Sequence, residues 1–152
     1  MIGGKPLFAF IGGGAAGAAQ ALTGAVDIHT FTIPFKCKPI RAGVTLMTTV
    51  SSSASAVVKF DRRPTAGDDT SRGDGDVGTL TIPTTAAAGK AYYENTDYVD
   101  AGTGKWVDYL DEGEQVVVQV TTAATSAGAG VPWLLVELFP EMPGNNSSMV
   151  AG

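Results

Sequence analysis

The sequence predicts an all-β protein, and three observations lead to this fold class. Segments in which apolar and polar residues alternate recur at spacings of about ten residues, as antiparallel strands do. Clusters of Gly, Pro, Asn and Asp separate these segments and predict turns or loops. The pattern lacks the crossover helices of a βαβ fold, and 152 residues suit one domain with one core. Together these features favour an antiparallel sandwich or barrel.

The first half of the chain begins with a Gly/Ala-rich leader and continues with clear strand patterns. Within the leader, we predict a short strand over residues 7–11 and a short helix over residues 15–22. The segment 26–33 alternates apolar and polar residues with a period of two, which is typical of a half-buried strand. Two further strands are predicted over residues 44–50, with Val44, Leu46, Thr48 and Val50 on one face, and over residues 56–61.

The second half continues the same pattern. Residues 115–122 are rich in Val and give the strongest strand signal in the chain. Further strands are predicted over residues 78–82, 106–110 and 131–139, with an edge segment over 91–93. Exposed loops are predicted over 62–76 and 125–130, and a tight turn over 111–114.

This pattern divides the chain into three parts. Residues 1–24 are predicted to form an N-terminal arm, residues 25–139 the sandwich domain, and residues 140–152 an extended polar tail. Arms and tails that become ordered on binding can bridge neighbouring subunits, because the buried area offsets the ordering cost.

Composition limits the classes of partner. The net charge is −5 and basic residues are scattered, so the chain lacks the electrostatic footprint of a nucleic-acid-binding protein. The sequence has no run of 18 apolar residues, so no transmembrane helix is predicted. Only 16% of residues are charged. Such a surface favours contact with other proteins, although a stable β domain with a small-residue surface would show the same composition.

Residues for catalysis are sparse, and we predict that the chain is not an enzyme. A single cysteine, Cys37, excludes an intrachain disulfide, and the single histidine, His29, leaves little room for a triad or a His-rich metal site. The acids Asp108, Asp111, Glu112 and Glu114 cluster around a turn, where solvated surface carboxylates are common.

Two motifs could hold a ligand, and both have simpler explanations. Residues 12–17 match G-x-G-x-x-G, but Asp27 comes too early for the acidic partner of a dinucleotide site and no βαβ unit follows. The acidic loop over residues 68–76 could bind calcium, although Thr79 stands where an EF-hand needs Glu. We predict no cofactor.

A third candidate is a set of aromatic residues that could line a sugar-binding face. Core or interface packing is the simpler explanation of such residues, because Tyr and Trp are favoured in both places. The set comprises Tyr92, Tyr93, Tyr98, Trp106 and Tyr109.

The C-terminal third carries a family resemblance. Residues 111–149, DEGEQVVVQVTTAATSAGAGVPWLLVELFPEMPGNNSSM, combine a Glu-Gly turn, a Val-rich strand, a small-residue loop, a final apolar strand and a Pro/Asn tail. This segment, with the Ala/Gly-rich start, resembles the small capsid decoration or cement proteins of tailed bacteriophages.

The resemblance implies a fold, a location and a partner. It implies a β-sandwich, jelly-roll-like in form, that binds the major capsid protein at the outer surface of the shell, often as a homotrimer. The protein would be made in the host cytoplasm and would clamp neighbouring shell subunits without chemistry. Its apolar assembly contacts are predicted to be Phe8, Phe10, Ile11 and Met149. The alternatives are a carbohydrate- or receptor-binding module of a phage fibre or tail, or another head–tail structural protein.

Overall fold

The computed structural model describes residues 7–12, 19–63, 76–95 and 109–138. In these residues the protein is all-β, and two antiparallel sheets pack face to face as a β-sandwich, which confirms the predicted fold class. The strands are β1 (Phe8–Gly12), β2 (Gln20–Ala21), β3 (Asp27–Thr32), β4 (Cys37–Ser51), β5 (Ala56–Arg63), β6 (Asp76–Ile82), β7 (Ala91–Asn95), β8 (Gln115–Thr122) and β9 (Ala127–Leu138).

The strand order divides the elements between two sheets. The first sheet has the order β1-β9-β4-β7, with the short β2 also paired to β9. The second sheet has the order β3-β8-β5-β6. Every pairing is antiparallel, and most join strands that are distant in sequence, such as β1 with β9 and β3 with β8.

The core lies between the two sheets, because alternate side chains along each strand point towards the opposite sheet. In β5, every second residue from Ala56 to Arg62 is buried, and the residues between them are half-buried. Phe60 from this strand stacks on Phe31 of β3, with ring centroids 6.4 Å apart. Burial of such aliphatic and aromatic side chains is the main favourable term in folding.

Two strands of the first sheet are longer than predicted. Strand β9 begins at Ala127, so the loop prediction for residues 125–130 is wrong over residues 127–130. The small residues there permit close approach: a Cβ on Gly130 would lie 2.4 Å from Cγ1 of Val44. Strand β4 begins at Cys37, before the predicted start at residue 44, and its register shifts on both sides of Thr48. Thr48 is therefore exposed, and the prediction that it shares the buried face of Val44 is wrong.

The described part of the predicted arm belongs to the sandwich. Strand β1 confirms the short strand predicted over residues 7–11, and it pairs with β9 over its whole length. Gln20–Ala21 is a strand, so the helix prediction for residues 15–22 is wrong at that end; residues 15–18 lie outside the described residues. Leu22 is fully buried in the core. The predicted boundary at residue 24 therefore does not separate an arm from a domain.

The loop predicted over residues 62–76 is wrong at its start. Arg62 and Arg63 continue β5, and Arg62 is buried. Its guanidinium donates from Nε to Oε2 of Glu114 at 2.9 Å and from Nη2 to Oε1 at 2.7 Å. Glu114 is therefore a buried ion-pair partner and not a solvated turn acid. Residues 64–75, with most of the acidic loop, lie outside the described residues.

Candidate binding groove on the first sheet

A groove of about 540 Å³ lies on the outer face of the first sheet. Its volume falls within the range of small-molecule binding sites, which are mostly apolar with a few polar groups. All four main strands of the sheet contribute to it. The lining residues are Phe10, Gly12, Arg41, Thr45, Ala91, Tyr93, Trp133 and Leu135.

Cross-strand register brings these residues together from distant parts of the chain. Gly12 lies opposite Trp133, Trp133 opposite Gly43, and Gly43 opposite Tyr93, so one row crosses all four strands. The neighbouring row joins Phe10, Leu135 and Arg41 in the same way. Residues opposite one another in such rows point to the same face of a sheet, which is why the groove has a continuous lining.

Trp133 forms the floor of the groove. A Cβ on Gly43 would lie 2.2 Å from Cζ2, 2.5 Å from Cε2 and 2.6 Å from Cη2 of Trp133, so the indole ring lies directly on the glycine backbone. The indole Nε1–H donates to Oγ1 of Thr45 at 3.0 Å. Glycine and the hydrogen bond together fix the ring against the sheet.

Two more aromatic rings flank Trp133. The Phe10 ring meets it edge-to-face, with centroids 5.6 Å apart and an interplanar angle of 75°. The Tyr93 ring lies on the other side at 6.4 Å, tilted by 46°. Phe10 is 67% exposed and Tyr93 is 49% exposed. The rings thus form an accessible aromatic platform.

Arg41 supplies positive charge beside the platform. Its Cζ atom lies 4.7 Å from the ring centroid of Tyr93, within the range of a cation–π interaction. Among the described lining residues, Arg41 carries the only side chain that is charged at neutral pH. The groove is therefore apolar with one cationic side, although the whole chain is acidic.

The predicted assembly residues separate into three positions. Phe8 and Phe10 lie on the outer face of edge strand β1 and are 57% and 67% exposed. Ile11 points the other way and packs against the core, so its side chain is a core contact and not an exposed anchor. Met149 lies outside the described residues.

Of the three described members of the predicted sugar-binding set, only Tyr93 lines the groove. Tyr93 lies in the groove, but Tyr92 packs against the core, and Lys36 Nζ lies 4.0 Å from the ring centroid of Tyr109. Tyr98 and Trp106 lie outside the described residues.

Sequence reasoning missed Phe10, Arg41 and Trp133 as members of a shared site. A signal for Trp133 was present: β9 carries large apolar residues at Trp133 and Leu135, on the face opposite buried Leu134 and Val136. A strand that is apolar on both faces is expected to have both faces covered.

Of the other sequence motifs, only Gly12 of the G-x-G-x-x-G match and Asp76 of the acidic loop lie in the described residues. Gly12, the first glycine of the G-x-G-x-x-G match, ends β1 with φ +82, and a Cβ there would lie 2.2 Å from Cε1 of Phe31. Close packing and a left-handed backbone therefore account for this glycine. The described residues contain no group of three His, Cys, Asp or Glu side chains placed to hold a metal ion. In the same residues, no helix has the length and hydropathy to cross a membrane.

The Cys37 thiol lies in an environment that keeps it protonated. Burial, together with the nearby negative charge of Glu114, raises its pKa from 9.0 to about 11. A nucleophilic cysteine needs the opposite shift. His29 packs edge-to-face on Phe31 at 4.6 Å.

Comparison of the chain with protein-family models, with curated proteins and with solved structures found no match. The function is therefore inferred from the geometry of the outer face of the first sheet.

Proposed function

We propose that the chain is a structural virion protein that decorates and stabilises a phage capsid by binding across neighbouring shell subunits. The observation that carries this proposal is the row of exposed apolar side chains on edge strand β1. Phe8 and Phe10, on the outer face of β1, are 57% and 67% exposed, and Leu7, which directly precedes the strand, is 65% exposed. Soluble proteins seldom leave several large apolar side chains exposed side by side, and such patches mark interaction surfaces.

The position of β1 supports attachment to another protein. In the described residues β1 pairs only with β9, so the other side of the strand presents backbone donors and acceptors. An uncovered edge strand with apolar side chains pairs readily with a strand from another chain. The major capsid protein is the proposed partner, and a homotrimer is the proposed oligomer.

Strand pairing supports a jelly-roll form of the sandwich, which we also propose. Apart from the two-residue β2, the eight strands in the described part of the chain pair first with last: β1 with β9, β3 with β8, β4 with β7, and β5 with β6. A long antiparallel ribbon of paired strands that rolls into two sheets gives this order. Capsid and lectin domains both use jelly rolls, so the fold is compatible with attachment to a shell but does not itself assign it.

Light scattering tests this proposal through the mass of the protein alone and mixed with shells assembled without it. We expect a trimer, or a smaller species, that binds the shells at a fixed stoichiometry. A protein that leaves the mass of the shells unchanged at micromolar concentration would contradict the proposal.

A second candidate function is carbohydrate binding by a module of a phage fibre or tail. The observation in its favour is the aromatic platform of Phe10, Tyr93 and Trp133, because flat aromatic rings stack on the apolar faces of sugars. Binding of oligosaccharides that is lost in Tyr93→Ala would support it. The absence of binding to neutral and acidic oligosaccharides would exclude it.

A further inference from the structure

We infer that the groove on the first sheet binds residues 140–143 of a second copy of this chain, so that each subunit holds a neighbour by the segment that follows β9. The inference rests on the homotrimer proposed above and names the contact between its copies. It depends on two observations, which are the aromatic lining of the groove and a pair of prolines three residues apart in the sequence.

The first observation is an exposed row of aromatic rings with a fixed centre. The Gly43 backbone covers one face of the Trp133 indole, and the hydrogen bond from its Nε1 to Thr45 holds the ring in place. Phe10 and Tyr93 flank the indole, with ring centroids 5.6 Å and 6.4 Å away. Aromatic-lined grooves bind proline-rich peptides of the P-x-x-P type, which are already extended before they bind.

The second observation is a P-x-x-P sequence directly after β9. Residues 140–143 read Pro-Glu-Met-Pro, and they lie outside the described residues. Proline fixes its own φ and restricts the residue before it to extended conformations, so this sequence favours polyproline II. A ligand with little freedom before binding loses little entropy on binding.

The spacing of the two prolines matches the row of rings. A polyproline II helix has three residues per turn, so Pro140 and Pro143 share one face of it, about 9 Å apart. The row from Phe10 on β1 to Tyr93 on β7 crosses four neighbouring strands and extends roughly 14 Å at the usual strand spacing. The two prolines therefore fit along the row, on either side of the Trp133 ring.

The groove also offers donors for the backbone of such a ligand. A polyproline II backbone has no internal hydrogen bonds, so its carbonyl groups need partners. The Oγ1 atom of Thr45 accepts the indole proton, so its own O–H can donate to a carbonyl oxygen. The phenolic O–H of Tyr93, which is 49% exposed, can donate in the same way.

The geometry of β9 requires the proline segment to come from another copy. Trp133 precedes Leu138, the last residue of β9, by five residues, which places their Cα atoms about 17 Å apart along the strand. Pro140 follows Leu138 by two residues, so it stays within about 7 Å of it. Pro140 therefore cannot lie on Trp133 of its own chain. A contact that joins a groove on one subunit to a different surface of the next can close into a ring such as a trimer.

The test measures the mass of the full chain by light scattering over a range of concentrations. Pro140→Ala/Pro143→Ala changes the segment and leaves the groove intact, whereas Tyr93→Ala changes the groove and leaves the segment intact. We expect each variant to associate about tenfold or more weakly than the wild type, because each loses an anchor of the contact. Pro34→Ala/Pro83→Ala removes two exposed prolines outside the groove, so this matched control should associate as the wild type does.

A mixture of the two weakened variants tests whether the contact forms between copies. The proline variant supplies an intact groove and the Tyr93→Ala variant supplies an intact segment, so the mixture should form one contact and stop at a 1:1 complex. Ala91→Glu, which adds a charge at an exposed lining residue, replaces Tyr93→Ala if that variant does not fold. Thermal unfolding checks the fold of each variant.

The outcomes distinguish this inference from the homotrimer on which it rests. A proline variant that associates as tightly as the wild type would overturn the inference and leave the homotrimer to another contact. A mixture that forms no 1:1 complex would also overturn it. A wild type that stays monomeric would overturn both, whereas attachment to shells is measured separately. Oligosaccharide binding in the groove, with no effect of the proline changes on association, would assign the groove to carbohydrate instead.

Discussion

The indole ring of Trp133 lies against Gly43, at a spot where any Cβ would be 2.2 Å from Cζ2. Trp133 is on β9 and Gly43 is on β4, and the two residues are direct cross-strand neighbours. The absence of a side chain on one strand thus makes room for a large ring from the next. This pair sets the position of the aromatic platform, since Phe10 and Tyr93 both pack against the same indole.

Gly43→Ala is expected to displace the indole and disrupt the groove. Real Cβ atoms do not approach ring atoms this closely, so the ring must tilt away and lose its hydrogen bond to Thr45. The cost should be about 1–3 kcal/mol, which is typical of overpacking. The measurement is tryptophan fluorescence in a Trp106→Phe background, where we expect a red shift of Trp133 emission.

Gly89→Ala is not a suitable control for that experiment, because φ at Gly89 is positive. Gly24→Ala is better, because a Cβ there would meet only Val26 at an ordinary 3.8 Å. An unchanged emission spectrum in Gly43→Ala would mean that Trp133 does not rest on the glycine.

Replacing only one partner of the buried Arg62–Glu114 ion pair is expected to lower the stability of the folded protein. Glu114→Leu or Arg62→Met leaves a buried charge without its partner, which typically costs about 3–5 kcal/mol. The double variant Arg62→Met/Glu114→Leu should be closer to the wild type, because neither charge remains. Chemical denaturation of the four proteins measures this double-mutant cycle. Additive losses would contradict strong coupling between the two side chains.

The Cys37 thiol is expected to resist alkylation in the folded protein at pH 8 and to react once the protein unfolds. Its raised pKa also makes stability depend on pH. The folded pKa, about 11, exceeds the ordinary value of 9.0, so on raising the pH the unfolded state loses the proton first. The contribution is therefore constant below pH 9 and is lost between pH 9 and about 11.

The control for that pH dependence is Cys37→Ala, which lacks the titrating thiol. The loss of stability across this window should be smaller in the variant, as measured by urea denaturation at several pH values. Identical pH slopes in the two proteins would refute the raised pKa.

Deletion of residues 1–24 is expected to destabilise the sandwich, although the sequence suggested a separable arm. The deletion removes β1 and β2 from β9 and removes Leu22 from the core. Leu22→Ala alone should cost about 2–5 kcal/mol, as other buried Leu truncations do. Thermal unfolding of both variants measures this loss. A deletion variant with wild-type stability would restore the arm interpretation.

Local pattern was sufficient for much of the fold. Strand β8 was predicted with its observed bounds, because Gln115 to Thr122 combines β-branched residues with a turn on one side. The tight turn before it also agreed, and Glu114 N–H bonds to the carbonyl of Asp111 at 3.2 Å. Where neighbouring residues determine structure, a single sequence is informative.

The failures came from long-range pairing. Ala127 to Gly130 was predicted to be a loop because it is rich in Ala and Gly. In the fold this segment is part of β9, because it pairs with β4 and β2. Arg62 looked solvated because its partner Glu114 is 52 residues away. The groove shares this difficulty, since its rows join positions such as Phe10 and Leu135 that only the fold brings together. Register between distant strands cannot be derived from local propensity.

We propose that the exposed face of β1 attaches the protein to a shell, and sedimentation of shells with bound protein is the decisive experiment. Phe8→Asp places a charge on that face outside the groove, and Val26→Asp places one at a residue that is 59% exposed elsewhere. We predict that Phe8→Asp weakens shell binding about tenfold or more, as the loss of an interface anchor does, while Val26→Asp binds as the wild type does. Equal binding of all three folded proteins would contradict the claim.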